Sequence, residues 1–254
     1  MVTIAVGNLK GGVGKSTTVI NLGYTLSVLG KKILLIDLDP QCNMTSLYAK
    51  VTAHGNTIKD IITYKKQTKV CVCKTKYSNI DIIKGNPYLK EDDVTDMGWL
   101  RDVCDEFGKK YDICLIDTRP VFEHLTPSAL VAADIFLTPV CLNKFCKDNL
   151  IQVEEYIDNY TALGLKWYIF ANMVVFRHIG ECMVLSKGQK RILNDLITTH
   201  DFPFLEASVR RAADIDNALT LANKPVLKHR RKSEAANDYT ELAAELIELI
   251  EREA

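Results

Sequence analysis

Near the start of the chain, a glycine-rich segment combines two lysines with two hydroxyl side chains. Residues 10–17 read Lys-Gly-Gly-Val-Gly-Lys-Ser-Thr. The backbone N–H groups of such a loop can point at phosphate oxygens, a lysine can neutralise the β- and γ-phosphates, and the next hydroxyl can hold Mg²⁺. Lys15 and Ser16 stand at those two positions. The segment therefore predicts a loop that binds the phosphates of a nucleoside triphosphate and its magnesium ion.

Two stricter phosphate-loop patterns do not fit this segment. The standard Walker pattern requires a glycine where this chain has Leu9. The dinucleotide pattern G-x-G-x-x-G, started at Gly12, requires a third glycine where the chain has Thr17. The loop therefore favours a nucleoside triphosphate over a dinucleotide.

The residues around the loop predict a strand, a helix and a second strand. Residues 3–7 are a short apolar run, typical of a buried strand. Apolar residues then recur at helical spacing, and Gly30 provides a stop after them; they are Val19, Leu22, Leu26 and Leu29. Residues 33–37 are apolar on both faces until Asp37, as in a parallel sheet. The loop therefore lies inside a βαβ unit.

The same alternation continues along the chain. Strand-like runs recur at 112–117, 135–140 and 167–174, and helix-like patterns at 147–163, 187–199, 212–222 and 233–252. Alternating elements predict an α/β fold with a doubly wound, mostly parallel sheet flanked by helices. We expect a single P-loop ATPase domain over residues 1–254. Residues 50–98 contain polar loops whose elements the pattern does not place.

Composition excludes several classes of protein. The chain has 32 basic residues (lysine plus arginine) and 32 acidic residues (aspartate plus glutamate). This balance excludes binding of nucleic acid through bulk positive charge, so any such binding requires a local basic patch. Hydrophobic residues make up 47%, so the chain is not globally disordered. The pattern gives no apolar run of the ~18 residues that a spanning helix needs. We also expect no secretory signal, because no basic leader precedes an apolar core.

Eight cysteines are present, with no C-x-x-C pair among them. Without a secretory signal, we expect reduced and mostly buried thiols and no bound metal. A metal site shared across a symmetric dimer is the alternative. The positions are Cys42, Cys71, Cys73, Cys104, Cys114, Cys141, Cys146 and Cys182.

The glycine-rich segment resembles the deviant Walker A motif of the ParA/MinD family of ATPases, in which a second lysine opens the loop. The likeness covers about residues 2–250 and is weakest over 50–98. Further segments similar to family motifs are 34–41 (Leu-Leu-Ile-Asp-Leu-Asp-Pro-Gln), 111–117, 125–134 with Pro139 and Val140, and 207–226, which ends in Lys-Pro-Val.

The resemblance implies an ATP site with Mg²⁺ and assigns roles to its residues. Lys15 would neutralise the phosphates, Asp39 would orient the attacking water, and Lys10 would cross a sandwich dimer to the partner's ATP. Asp37 would be structural. The metal residues would be Ser16, with Asp39 and Asp117 through water. Asn172 would contact adenine or only satisfy a turn. The implied nucleotide-binding set is Lys10, Gly11, Gly12, Val13, Gly14, Lys15, Ser16, Thr17 and Asn172.

One departure from the family pattern follows Asp117. The family usually continues with a small residue and two prolines, whereas this chain has Thr118-Arg119-Pro120. Arg119 could pair with Asp39 or Asp117, approach the γ-phosphate, or point outward as a surface residue.

The C-terminus and the late basic residues distinguish branches of the family. Residues 233–254 combine an apolar helix face with seven acids and one base, the opposite of a membrane-surface helix, so we expect this helix to pack on its own fold. Cys141 and Cys146 lack the glycine-rich setting of the reductase branch. A late basic run favours DNA, although such runs are often only solvated. The predicted DNA-binding residues are Arg210, Arg211, Lys228, Arg230 and Arg231.

The resemblance therefore implies an ATP-dependent DNA-partition ATPase that is cytoplasmic and associated with the nucleoid. It would form a homodimer on ATP binding, hold DNA without sequence choice, and hydrolyse ATP slowly until a ParB-like or other cargo-linked activator stimulates it. The alternatives are a similar switch for a conjugation or transcription complex, a MinD-like membrane ATPase, and a synthetase-type metabolic enzyme in which Lys10 has no obvious task.

Overall fold

A β-sheet with helices on both faces forms the frame of the molecule. The structure, a computed structural model, describes residues 1–179 and 182–252. Its strands are β1 (Val2–Val6), β2 (Ile33–Asp37), β3 (Val72–Lys74), β4 (Ile80–Ile83), β5 (Ile113–Asp117), β6 (Ile135–Cys141), β7 (Lys166–Val174), β8 (Phe176–Ile179), β9 (Cys182–Leu185) and β10 (Phe204–Arg210).

The helices connect these strands. They are α1 (Lys15–Val28), α2 (Asn43–Tyr48), α3 (Ile58–Tyr64), α4 (Thr68–Cys71), α5 (Trp99–Glu106), α6 (Leu125–Ala132), α7 (Cys146–Thr161), α8 (Lys187–His200), α9 (Ala213–Thr220), α10 (Val226–His229) and α11 (Glu234–Arg252). A 3₁₀ turn spans Glu91–Asp93.

Among the described residues, eight strands share one sheet in the order β10-β7-β6-β1-β5-β2-β4-β3. Every neighbouring pair is parallel except β3 and β4, which are antiparallel. Strands β8 and β9 form a separate antiparallel pair. This confirms the predicted α/β class with a mostly parallel sheet. Because β1 lies between β5 and β6, the loop after β1 leaves the sheet at its centre.

Apolar side chains hold helices against both faces of this sheet. On one face, Leu26 of α1 and Tyr239 of α11 are fully buried. On the other face, Leu100 of α5, Leu130 of α6 and Val153 of α7 are buried. Each large apolar side chain buried in this way contributes about 1.5–3 kcal/mol. The central strands are therefore covered on both sides, as their continuous apolar sequence predicts.

The C-terminal helix α11 confirms the expectation that it packs on its own fold. Tyr239, Leu242 and Leu246 are fully buried, and Leu249 and Ile250 are partly buried against the same core. Its apolar face therefore covers the sheet. Among the described helices, none combines the length and apolar character needed to cross a bilayer.

Several elements were not predicted from sequence, among them the short helices α5 and α10, the β8–β9 pair, and the two regions described next. Residues 50–98 contribute α3, α4, the β3–β4 pair and the 3₁₀ turn. Strand β10 was missed because it lies at the sheet edge and is buried on one face only. There Leu205, Ala207 and Val209 are buried while Glu206 is exposed. Such alternation lacks the continuous apolar run by which the other strands were recognised.

Candidate nucleotide-binding site

The glycine-rich loop joins the end of β1 to the start of α1. Gly12 and Gly14 adopt positive φ angles of 73° and 92°, which favour glycine. A Cβ on Gly14 would lie 2.5 Å from the Asn172 Nδ2 atom, whereas one on Gly11 or Gly12 would meet nothing within 4 Å. The loop thus packs closely against Asn172 at Gly14, whereas the space around Gly11 and Gly12 is open.

The start of α1 is open to an anion. Its N-terminus has no side-chain cap and no acidic residue in its first turn. The first N–H groups of a helix lack intrahelical partners and carry the positive end of the helix dipole. Ser16 and Thr17 of this turn are half-buried. Phosphate groups fit this part of the loop.

The Lys15 side chain is folded into the loop. Its Nζ atom donates to the Asn8 carbonyl at 3.2 Å and to the Lys10 carbonyl at 3.1 Å. Burial lowers the pKa of Lys15, while the carboxylates of Asp117 and Asp39 oppose that shift. A buried ammonium group held at the loop opening can neutralise phosphate oxygens.

Two asparagines fix the loop to the neighbouring strands. The Asn8 side chain donates to the Pro139 carbonyl of β6 at 2.9 Å, and its Oδ1 atom accepts from the Lys10 N–H at 2.8 Å. Asn172 Nδ2 donates to the Val13 carbonyl at 2.7 Å. The sequence analysis does not predict a role for Asn8. An asparagine two residues before Lys10 is typical of an Asx turn, and that pattern could have indicated the contact.

Asn172 also lies on a cavity of about 240 Å³ beside the loop. Its amide nitrogen donates to the Val13 carbonyl, 159 residues earlier in the chain, so this contact fixes the phosphate loop and is not the local turn contact of the alternative. An adenine contact through the rest of the side chain stays a prediction. The other lining residues are Thr17, Met173, Arg210, Arg211, Ala212, Ile215, Asp216 and Tyr239.

Asp37, at the end of β2, is buried and fully bonded within the protein. It accepts hydrogen bonds from the Thr45 N–H at 2.9 Å, the Thr45 hydroxyl at 2.6 Å and the Asp39 N–H at 3.1 Å. Burial raises the pKa of Asp37 to about 6, against the opposing effect of the Thr45 hydrogen bonds. These contacts agree with a structural carboxylate.

Asp117, at the end of β5, is fully buried as well. Among the described residues, neither of its carboxylate oxygens has a hydrogen-bond partner of good geometry. Burial, followed by the Asp37 carboxylate, raises the pKa of Asp117 well above its ordinary value, while the nearby Ser16 hydroxyl opposes the rise. A buried carboxylate without a partner is costly unless a cation compensates it. With the Ser16 hydroxyl it forms an oxygen donor set of the kind that Mg²⁺ prefers.

Asp39 lies just beyond the end of β2 and is half-buried. One of its oxygens accepts from the Gln41 N–H at 2.9 Å. Its charge acts on the pKa values of Lys15, Asp37 and Asp117, so it belongs to the same electrostatic cluster. The structure therefore brings Asp39 to the loop, as the sequence predicted.

The side chain of Lys10 lies beside the ring of Phe145. Its Nζ atom lies 5.7 Å from the ring centroid of Phe145, which is 57% exposed. Lys144 approaches the same ring at 4.6 Å. Lys10 is half-buried and lies beside an exposed aromatic ring.

Arg119 forms a contact that the sequence reading did not anticipate. Its Nη1 atom lies 2.6 Å from Glu91 Oε1. Glu91 belongs to the 3₁₀ turn within residues 50–98, whose elements the sequence pattern does not predict. Of the alternatives left open for Arg119, this contact differs from a pairing with Asp39 or Asp117. The side chain is partly exposed, at 26%, and is ion-paired.

The late basic residues divide into two groups. Arg210 is 13% exposed and ion-paired with Asp238 and Glu234. The charge of its guanidinium is therefore neutralised by carboxylates of the same chain. Arg230 is exposed but paired with Asp214 at 2.6 Å. The expectation that these two arginines offer free charge to DNA is corrected accordingly. The other three residues of the set, Arg211, Lys228 and Arg231, are exposed.

The seven cysteines whose side chains the structure describes form no disulfide. Five of them are buried, and Cys73 and Cys141 are half-buried. The side chain of Cys182 lies outside the described residues.

A parallel sheet with a glycine-rich loop at its central strand, followed by a lysine, a hydroxyl and a buried carboxylate, defines a P-loop nucleotide-binding protein. The family described as "AAA domain" matches residues 1–164. The chromosome-partitioning ATPase Soj of Treponema pallidum (strain Nichols) is 34% identical over 252 residues, which cover 96% of each chain. The chain belongs to the ParA/Soj family of partition ATPases.

Two further similarities support this placement. The sporulation initiation inhibitor protein Soj of Bacillus subtilis (strain 168) is 32% identical over 257 residues, covering 96% of this chain and 97% of that protein. The septum site-determining protein MinD of Pyrococcus horikoshii OT3, solved with Mg-ADP, has the same fold. It aligns with a TM-score of 0.77 at 22% identity, over 100% of this chain and 98% of that chain.

Proposed function

We propose that this protein is an ATP-dependent DNA-partition ATPase of the cytoplasm and nucleoid. It binds Mg-ATP, dimerises, holds DNA without sequence preference, and hydrolyses ATP slowly until a ParB-like, cargo-linked protein stimulates it. The observation that carries the ATPase assignment is the buried Asp117 carboxylate, which lies beside the open phosphate loop and has no hydrogen-bond partner of good geometry among the described residues. The relatives named for chromosome partitioning support the cellular task.

The site residues have distinct tasks in this proposal. Lys15 neutralises the phosphates, and Ser16 and Asp117 hold the metal ion. Bound Mg²⁺ supplies Lewis-acid stabilisation of the developing charge on phosphoryl oxygens. Asp39 accepts a hydrogen bond from the attacking water and orients it. Lys10 completes the site of the partner subunit, which makes hydrolysis conditional on dimerisation.

The nucleotide assignment is tested by isothermal titration with Mg-ATP and by phosphate release. Lys15→Ala should abolish ATP binding, whereas Asp39→Ala should bind ATP without hydrolysing it. Lys84→Ala is the matched control, because Lys84 is also a buried lysine but contacts Thr52. Binding by Lys15→Ala would remove the ATP assignment, and normal hydrolysis by Asp39→Ala would remove the role of that carboxylate.

The dimer assignment is tested by light scattering with a nonhydrolysable ATP analogue. Wild type should dimerise with the analogue, and Lys10→Ala should bind it but dimerise poorly. Lys144→Ala is the control, because Lys144 lies over the same Phe145 ring without belonging to the loop. An equal loss in both variants would show a general charge effect in place of a role for Lys10.

The DNA assignment now rests on Arg211, Lys228 and Arg231. Phosphate contacts give affinity without sequence choice, and each contributes about −0.9 to the slope of log K against log salt. Arg231→Ala should therefore flatten the slope by roughly 2 in a dimer. Arg230→Ala should change it less, because Asp214 already neutralises that arginine. Equal slopes in wild type and Arg231→Ala would contradict the assignment.

A regulatory switch is the second candidate, since the relative from B. subtilis is named as a sporulation initiation inhibitor. Both candidates share the nucleotide site and differ in the partner. Stimulation of ATP hydrolysis by a DNA-bound partition protein supports the first, and stimulation only by a transcription or conjugation protein supports the second. A membrane role is disfavoured because the apolar face of α11 is buried against the sheet.

A further inference from the structure

The loop that follows β5 links the Asp117 carboxylate to distant parts of the chain. The Thr118 hydroxyl donates to the Val6 carbonyl of β1 at 2.9 Å, so the start of this loop is fixed beside the phosphate loop. The chain then leaves the sheet at Arg119 and enters α6 at Leu125. We call residues 118–124 the post-β5 loop.

One carboxylate holds both ends of the post-β5 loop. Glu91 Oε1 accepts from Arg119 Nη1 at 2.6 Å. Glu91 Oε2 accepts from the N–H groups of His124 at 2.9 Å and Leu125 at 2.7 Å. The Glu91 side chain is only 11% exposed. Because its charge also lies at the N-terminus of α6, the helix dipole favours this arrangement.

The middle of the post-β5 loop is held from the other side. The Tyr156 hydroxyl of α7 donates to the Phe122 carbonyl at 2.7 Å, and the two rings lie 4.5 Å apart between centroids. Phe122 packs against the same apolar cluster as Leu9, the residue before Lys10. The loop is therefore fixed at three points and borders the phosphate loop.

We propose that Glu91 and Arg119 are positioning residues for ATP hydrolysis, which act by holding the post-β5 loop and hence the Asp117 end of β5. This inference rests on the proposed ATPase function. The pair acts through the backbone of the loop and does not bind the nucleotide. Charge-assisted hydrogen bonds of this kind are the stronger ones in proteins, and loss of one partner leaves the other partly buried and unpaired.

The pair also accounts for the departure from the family sequence after Asp117. Where a proline would restrict the backbone by its ring, Arg119 restricts it through an ion pair with the 3₁₀ turn. The constraint is then not local, because it depends on Glu91, 28 residues earlier in the chain. Precise placement of groups around the reacting atoms is a main source of rate in phosphoryl transfer.

The test compares steady-state ATP hydrolysis by wild type, Glu91→Gln, Arg119→Ala and the double variant. Glu91→Gln and Arg119→Ala should each lower kcat about tenfold, the effect of losing one charge-assisted hydrogen bond, with KM for ATP nearly unchanged. The double variant should be no worse than Glu91→Gln alone, because Arg119 acts through its contact with Glu91. Arg119→Lys, which keeps the charge, should recover part of the rate.

Asp93→Asn is the matched control, because Asp93 belongs to the same 3₁₀ turn and pairs with Lys59 at 2.5 Å. It should keep the wild-type kcat. Hydrogen exchange provides a second readout, since Glu91→Gln should speed exchange at the amides of His124 and Leu125.

Three results would overturn the positioning role, and one of them would also overturn the proposed function. If wild type hydrolyses ATP and Glu91→Gln has the kcat of Asp93→Asn, the positioning role is wrong and the ATPase assignment stands. If wild type hydrolyses no ATP, the proposed function fails and the positioning role fails with it. A rise in KM with unchanged kcat would also overturn the proposal, because it indicates lost nucleotide binding.

Discussion

Two carboxylates end neighbouring strands of the sheet and have opposite surroundings. Asp37 on β2 and Asp117 on β5 are register partners, and both are fully buried. Asp37 accepts three hydrogen bonds from Thr45 and Asp39. Among the described residues, Asp117 accepts none of good geometry. The fold uses one carboxylate for its own structure and leaves the other available to a ligand.

This contrast is what sets Asp117, the carboxylate proposed to hold the metal ion, apart from its neighbour Asp37. Residue type, burial and strand position are the same for Asp37 and Asp117, so none of them distinguishes the two. The distinction comes from Thr45, whose N–H and hydroxyl both reach Asp37. Completion of the hydrogen bonds, and not position alone, distinguishes Asp37 from the carboxylate that we propose holds the metal ion.

The largest expected effect follows removal of the Asp117 charge. Asp117→Asn should lower kcat for ATP by about 10²–10³, because magnesium stabilisation worth several kcal/mol is lost. In the absence of nucleotide, the same variant should unfold with a free energy about 1–3 kcal/mol higher than wild type, since a buried unpaired charge is removed. Phosphate release and urea unfolding measure the two effects. Lower stability together with normal activity would reverse the assignment.

The corresponding change at Asp37 should have the opposite effect on stability. Asp37→Ala leaves the N–H groups of Thr45 and Asp39 without their acceptor, at a cost of about 1–3 kcal/mol. Urea unfolding at pH 5 measures this loss. Magnesium-dependent ATP binding, measured by titration of the folded variant, should persist. Loss of binding in folded Asp37→Ala would give both carboxylates a role in the site.

A smaller effect is expected at Thr45, the residue whose hydrogen bonds distinguish the surroundings of Asp37 from those of Asp117. Thr45→Val removes the hydroxyl that donates to Asp37 and accepts from the Gly85 N–H at 2.9 Å. We expect a loss of about 1–2 kcal/mol in the free energy of unfolding. Thr126→Val is a control, because its buried hydroxyl bonds to Val121 outside this cluster and its loss should not alter the pKa of Asp37. NMR titration of the Asp37 carboxyl distinguishes the variants.

The smallest expected effect is a pH dependence of stability. An unfolded aspartate titrates near 3.9, whereas burial raises the pKa of Asp37 to about 6. Between these values the folded state binds more protons, so the stability from this group is complete below about pH 4 and is lost as pH rises through 6. The slope should stay below about 1.4 kcal/mol per pH unit. The gap between wild type and Asp37→Ala should therefore shrink from pH 4 to 6; a constant gap would contradict the raised pKa.

The parts of the fold that sequence predicted are those with a local signal. The βαβ unit around the loop follows from apolar periodicity, from Gly30 and from the order of residues 10–17. The packing of α11 follows from its apolar face and its acidic opposite face. Both signals lie within short stretches of sequence, so they need no knowledge of tertiary contacts.

The parts that were missed depend on partners far away in sequence. Glu91 lies in a region without periodicity, so its pairing with Arg119 has no sequence signature. Arg210 was assigned to DNA because it follows the pattern of a basic surface, yet it pairs with Asp238 on a helix 28 residues later. Local charge composition does not reveal whether a carboxylate will face the arginine in the folded chain.

The Asn172 contact has a consequence for biosynthesis. The glycine-rich loop is among the first segments translated, but its Val13 carbonyl is bonded to a side chain 159 residues later. At ~5–20 residues per second, roughly 8–30 s separate the two during translation. Strands β5 and β6, which flank β1, and β7, which carries Asn172, are translated in that interval. A nascent chain therefore carries the complete signature motif well before the contact that fixes one end of the loop can form.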